Sequence, residues 1–185
     1  MALELYLDLF SQPCRSVYMF AKKNQIPFEF QKISLMEVYY FSQIYDKHER
    51  EIFWFEVCFD FILKSGICSV VFFKFQTPDF WYPADLQRRA QINEYLSWQH
   101  TGIRMYGSKM FWLRLMLPKV MGVEVPKEKM DGALEDLNNA LNLIEEKFLQ
   151  DQPFIGGDHM SLADLVAIVE IMQVTWTDCC GDFCL

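Results

Sequence analysis

Proline and glycine are scarce, at 7 and 8 of 185 residues, which excludes collagen-like repeats and low-complexity linkers. Histidine is scarcer still. His48, His100 and His159 stand apart from one another and from any paired cysteine or carboxylate at a motif spacing, so each reads as a surface or satisfied polar residue. Basic residues are outnumbered 17 to 25, and a net charge of −8 repels the phosphate backbone, so nucleic-acid partners are not expected. The chain also lacks a clean membrane span, which needs about 18 or more apolar residues with few charges. Glu56, Asp60 and Lys64 interrupt the stretch from Ile52 to Phe75, and no membrane partner is expected. The opening MALELYLDLF places Glu4 and Asp8 where a signal peptide needs a basic start, so a cytoplasmic location is expected. Cys14, Cys58, Cys68, Cys179, Cys180 and Cys184 lack the spacing of a disulfide framework and are expected to be reduced. The last three lie near Asp178 and Asp182 without a histidine or a second cysteine pair, so no metal site is expected.

What the sequence does have is apolar mass: 52% hydrophobic residues, including 17 Phe, enough for a sizeable core. Leu3, Leu5, Leu7 and Leu9 alternate with Glu4, Tyr6 and Asp8, a period of two that predicts a strand with one face in the core. Ser11-Gln12-Pro13 breaks it, with Pro13 at the first helical position, and Cys14 to Lys23 carries Val17, Phe20 and Ala21 on one helical face. After Ile26-Pro27, Phe28, Phe30 and Ile33 alternate with Glu29 and Gln31, predicting a second strand, and a strand-helix-strand unit of this length joins parallel strands. From Pro83 the period changes. Asp85 to Ile103 and Ser108 to Leu117 read as helices, the latter ended or kinked by Pro118. Met130, Leu134, Leu137, Leu141, Ile144 and Phe148 form the stripe of an amphipathic helix buried along one side. Ser161-Leu162-Ala163-Asp164 is a capping box, with Met160 and Leu165 placed for a hydrophobic staple, and its role is read as stability only. Residues 36 to 75 show neither period and are left unassigned; so many Phe side chains invite aggregation unless the fold covers them.

Ser11-Gln12-Pro13-Cys14 lies between a strand end and a helix N-terminus, where orphan N–H groups and the helix dipole favour an anion. The Ser11 hydroxyl is placed to donate to a sulfur anion and keep it ionised, and Cys14 is alternatively a low-pKa thiol of its own. The plain reading stands beside both: Ser11 satisfies the helix end and Cys14 is a small core residue.

Three segments, LELYLDLFSQPCRSVYMFAKKNQIPFEF, QTPDFWYPADLQRRAQINEYLSWQH and EEKFLQDQPFIGGDHMSLADLVAIVEIMQ, together resemble the theta class of cytosolic glutathione transferases. The likeness covers residues 1 to about 35 and 76 to 173. It implies an α/β thioredoxin-like N-terminal domain over 1–76, altered at 36–75. A truncated all-α C-terminal domain over 84–185 follows, departing from the family after about residue 173. It also implies a homodimer that adds glutathione, as co-substrate and without a cofactor, to halogenated or peroxidic electrophiles. Ser11 matches the family's serine that activates the glutathione thiol. Trp98 to Arg104 resembles a Trp-containing stretch ending in an active-site Arg, which makes Thr101 and Arg104 candidates for the glutathione pocket and Arg104 for the electrophile as well; a plain surface role for Arg104 stays open.

The departures are as specific as the matches. Tyr40 stands where the family has His, no proline occurs from Glu29 to Thr77, and Lys64-Ser65-Gly66 replaces a Thr-Glu-Ser motif, leaving Ser65 as the remaining glutathione-binding candidate there. After Met172-Gln173 the chain reads VTWTDCCGDFCL where the family continues into helices that cap the site. These abrupt edges carry an alternative reading: a catalytically impaired isoform or gene-model variant, from a retained intron or skipped exon, keeping a partial fold and an interaction role. A thioredoxin-like redox protein using Cys14 is a third.

Overall fold

The computed structural model describes residues 3–33, 75 and 77–179. The chain divides into two compact units, 1–77 and 78–185.

In the first unit β1 (Leu3–Leu7) and β2 (Phe28–Lys32) are parallel, in register from Leu3 opposite Phe28 to Leu7 opposite Lys32, and α1 (Gln12–Lys23) crosses between them. The Ile33 N–H extends the ladder to the Leu7 carbonyl at 3.2 Å. Leu5 and Leu7 are buried, as the alternation requires, together with Cys14, Val17, Phe20 and Ala21 of α1. Leu9 does not continue this pattern. The chain turns at Asp8, whose carboxylate accepts the Phe10 N–H at 2.9 Å, and Leu9 is left exposed. α1 begins two residues earlier than Cys14, so Pro13 occupies its second position, where a missing N–H still costs no helical bond. The apolar face of β2 also differs from expectation. Phe28 and Phe30 pack T-shaped against Tyr18 on α1, each at 5.7 Å between centroids, and Phe30 remains exposed. The Lys22 ammonium lies 5.1 Å from the Phe28 ring and 5.6 Å from that of Tyr18, a cation–π arrangement that covers this aromatic patch.

The second unit is helical. A short turn (Asp79–Trp81) leads into α2 (Leu86–Trp98), followed by α3 (Ile103–Phe111), α4 (Lys127–Leu143) and α5 (Leu162–Cys179). Asp85 caps α2 by accepting the Arg88 N–H at 2.8 Å. The helix predicted over 85–103 stops at Trp98, because the chain folds back under that side chain. Thr101 and Gly102 both donate to the Trp98 carbonyl, at 3.1 and 3.0 Å, and a Cβ at Gly102 would come within 2.5 Å of the indole. α3 therefore begins at Ile103 rather than Ser108, and Pro118 does not end it. The helix widens into a π-helical stretch (Trp112–Val120) that contains Pro118, and the Met121 N–H reaches five residues back to the Met116 carbonyl at 3.0 Å. Widening removes the need for the N–H that proline lacks and draws its ring away from the carbonyl four residues back.

The stripe on α4 and its π-helical continuation (Ile144–Leu149) is buried at Leu137, Ile144 and Phe148, with Ala133 and Ala140 buried beside them and Met130, Leu134 and Leu141 at its half-buried flank. Phe148 sits edge-on to Tyr95 at 5.1 Å and tilted against Trp98 at 4.9 Å, joining this stripe to α2. At Gly107 an added Cβ would meet Val174 at 3.3 Å, so α3 and α5 approach closely there.

The start of α5 is held by Asp164. Its carboxylate accepts the Ser161 N–H and the Ser161 hydroxyl, each at 2.7 Å, and the Ile155 N–H at 2.8 Å. The capping box thus also ties down the preceding loop. Of the two residues placed for a staple, Leu165 is buried and Met160 is 40% exposed. Asp164→Ala removes the acceptor of all three bonds and leaves Ser161, 1% exposed, without it; we expect a loss of about 2–4 kcal/mol in urea unfolding. An unchanged midpoint would contradict this role.

Candidate functional site

The turn between β1 and α1 is built from a few short contacts. The Ser11 N–H donates to the Asp8 carbonyl at 3.0 Å, and the Ser11 carbonyl accepts the first helical bond, from Arg15 N–H, at 3.1 Å. Asp8 is itself buried, so its hold on the Phe10 N–H is not diluted by solvent. Ser11 adopts the extended conformation of an N-cap residue, yet its hydroxyl makes no capping bond. The residue is 8% exposed, and among the described residues its hydroxyl has no hydrogen-bond partner. A cap-competent side chain held at a helix N-terminus, and not consumed by it, is free to donate to an anion drawn there by the dipole.

Two contributors to this turn were not legible in the sequence: Asp8, which reads as the outward residue of a strand, and Arg15. From the first turn of α1 the Arg15 Nη1 donates back to the carbonyls of Leu9 and Phe10, at 3.0 and 3.1 Å. The signal available was the residue type, because a cation in the first turn opposes the helix dipole and needs a compensating contact. Cys14, three residues past Ser11, is fully buried and is not disulfide-bonded. That burial keeps its sulfur from solvent and from thiols in solution, against a redox role.

In the second unit Thr101 and Arg104 lie three residues apart where α2 gives way to α3. Thr101 is exposed and its hydroxyl donates to the Trp98 carbonyl at 3.2 Å. Arg104 is half-buried, and its N–H donates to the Gln99 carbonyl at 3.0 Å. Beside Thr101 in the chain, burial lowers the pKa of the half-buried His100 below its usual value. The Tyr95 hydroxyl, one turn earlier, is buried without a hydrogen-bond partner. Desolvation, and then the charges of Glu170 and Asp164, push its pKa well above the usual phenol value. Tyr95 therefore stays neutral. His159 is exposed.

Ser65, Tyr40, His48, Cys58, Cys68, Cys180 and Cys184, with the unassigned 36–74 stretch, lie outside the described residues. Among the described residues no group of His, Cys, Asp or Glu is placed to hold a metal ion, and no helix is long and apolar enough to cross a membrane.

The sequence model of the family described as "Glutathione S-transferase, C-terminal domain" matches residues 104–178. Glutathione S-transferase theta-3 of Mus musculus is 42% identical over 183 residues, covering 97% of this chain and 76% of the relative. Among solved structures, human glutathione-S-transferase T1-1 in its apo form superposes with a TM-score of 0.84 at 39% identity, over 96% of this chain and 76% of that one. A human theta-class glutathione transferase in complex with the glutathione conjugate of 1-menaphthyl sulfate gives 0.81 at 38% identity, over 96% and 73%.

The burial of Cys14 has a direct check. A small alkylating reagent should leave Cys14 unmodified in the native protein and label it after denaturation, read by mass spectrometry of the peptide spanning Cys14. Rapid native labelling would show an accessible thiol and reopen the redox reading.

Proposed function

The chain belongs to the theta-class glutathione transferases, and on that premise we propose that the Ser11 hydroxyl holds the thiolate of reduced glutathione for attack on electrophilic small molecules, halogenated or peroxidic. The observation that carries this is the unspent N-cap: Ser11 is buried at the N-terminus of α1 and its hydroxyl does not cap the helix.

A thiol with a pKa of about 8.5 is mostly protonated at neutral pH, so the task of the site is to favour its conjugate base. A hydroxyl donor directed at the sulfur and the positive end of α1 both act on the charged form, which lowers the thiol pKa. The thiol proton leaves to solvent. The sulfur lone pair then attacks the electrophilic carbon, the carbon–sulfur bond forms as the carbon–halogen bond breaks, and the halide leaves with its electron pair. Ser11 forms no covalent intermediate; it donates a hydrogen bond throughout.

Residues 1–76 serve in this reading as the glutathione-binding domain and 84–185 as the helical domain. Thr101 and Arg104 are assigned to glutathione and Arg104 also to the electrophile, on family resemblance, with Arg104 a half-buried residue. Ser65 is assigned to glutathione on resemblance alone. Glutathione is a co-substrate and no cofactor is needed. The protein works as a cytoplasmic homodimer, without nucleic-acid or membrane partners.

Ser11→Ala separates the plain and functional roles of that hydroxyl. Because it makes no capping bond, the variant should keep its unfolding free energy to within about 0.5 kcal/mol. Conjugation of a halogenated substrate should fall by about 10- to 100-fold in kcat/KM. A variant that loses the stability of a cap while keeping its rate would contradict the assignment.

A further inference from the structure

We infer that Arg15 is a positioning residue for the thiolate: its guanidinium braces the carbonyls of Leu9 and Phe10 so that the turn presents the Ser11 hydroxyl in one place. The inference rests on the role proposed for Ser11.

Arg15 lies four residues past Ser11, and its backbone N–H closes the first helical bond on the Ser11 carbonyl. Its side chain does not run outward along the helix but returns to the turn. One terminal nitrogen donates to both carbonyls that immediately precede Ser11, at 3.0 Å to Leu9 and 3.1 Å to Phe10. On the other side of the same turn Asp8 accepts the Phe10 N–H, and its carbonyl takes the Ser11 N–H. Every peptide from Leu9 to Ser11 is therefore held from at least one side. The local sequence gives no other reason for this rigidity: Leu9 and Phe10 are exposed, Phe10 at 69%, so no core packing fixes them.

Two consequences follow for an anion at Ser11. The carbonyl oxygens of Leu9 and Phe10 are negative ends of peptide dipoles, and a cation bound to them offsets a potential that would oppose the thiolate. A hydroxyl whose backbone cannot move also needs no reorganisation when charge develops on sulfur, the condition under which a donor is most effective. Arginine suits both tasks because it stays charged and spreads its donors over a planar fork, whereas a lysine ammonium is a compact point on a flexible stem.

The readout is the acid limb of the pH dependence of kcat/KM, which reports ionisation of the reacting thiol, measured for the wild type, Arg15→Lys, Arg15→Ala and Ser11→Ala, with the thermal midpoint of each. Arg15→Ala should move the limb upward by about one unit, which lowers the rate about tenfold at a pH below both midpoints. Arg15→Lys should fall between it and the wild type. If Arg15→Ala does not fold, the Lys variant decides alone: a limb raised relative to the wild type supports the inference, and a limb at the wild-type position overturns it. A limb unmoved in a folded Arg15→Ala, with activity tracking the thermal midpoint only, likewise overturns it and leaves Arg15 a structural brace. A limb unmoved by Ser11→Ala, in contrast, removes the role given to Ser11 itself.

Discussion

A helix must satisfy the N–H groups of its first turn, and the described helices do so in different ways. α2 is closed by Asp85, which accepts the Arg88 N–H, whereas at the start of α5 the Asp164 carboxylate accepts from the Ser161 N–H and hydroxyl and from the Ile155 N–H of the preceding loop. α3 and α4 begin at Gly102 and Pro126, which carry no capping side chain. α1 begins at Ser11, a residue type that caps well elsewhere but whose side chain makes no such bond here. The positive end of its dipole and a buried hydroxyl are thereby left for something outside the helix.

That openness is supported by what surrounds it. β1 ends three residues before the turn's exposed Phe10, and the buried Leu5, Leu7, Val17 and Phe20 fix the strand and helix that meet there. The flanking Asp8 and Arg15 then hold the intervening peptides. In the second unit stability comes from a different source, the packing of Phe148 on Tyr95 and Trp98 and the close approach at Gly107. The same unit buries the Tyr95 hydroxyl and the Gln99 side-chain amide oxygen without partners, a cost that its apolar packing offsets.

Features that depend on near neighbours in the chain were legible in the sequence. Alternation at Leu3–Leu7 and a proline at the next helix start are enough for a strand-helix-strand unit with parallel pairing. The Ser161–Asp164 box, the α4 stripe and the Ser11 turn are equally local. Features that depend on distant or sideways packing were not. The break after Trp98 exists because an indole lies over Gly102, and Pro118 stays within its helix because the turn widens around it. Phe28 and Phe30 have the spacing of core residues but lie against Tyr18, since alternation identifies a face without saying what covers it. The place of Ser11 at the start of α1 was readable in the sequence. The contacts of Arg15 were not, because its side chain turns back on carbonyls that precede it.

The most direct test is a calorimetric titration of the purified chain with reduced glutathione, repeated in buffers of different ionisation enthalpy to count the protons released. Saturable binding near neutral pH accompanied by net proton release means the site ionises the thiol as it binds. Absence of binding by a folded sample, or saturable binding without proton release, would contradict the account.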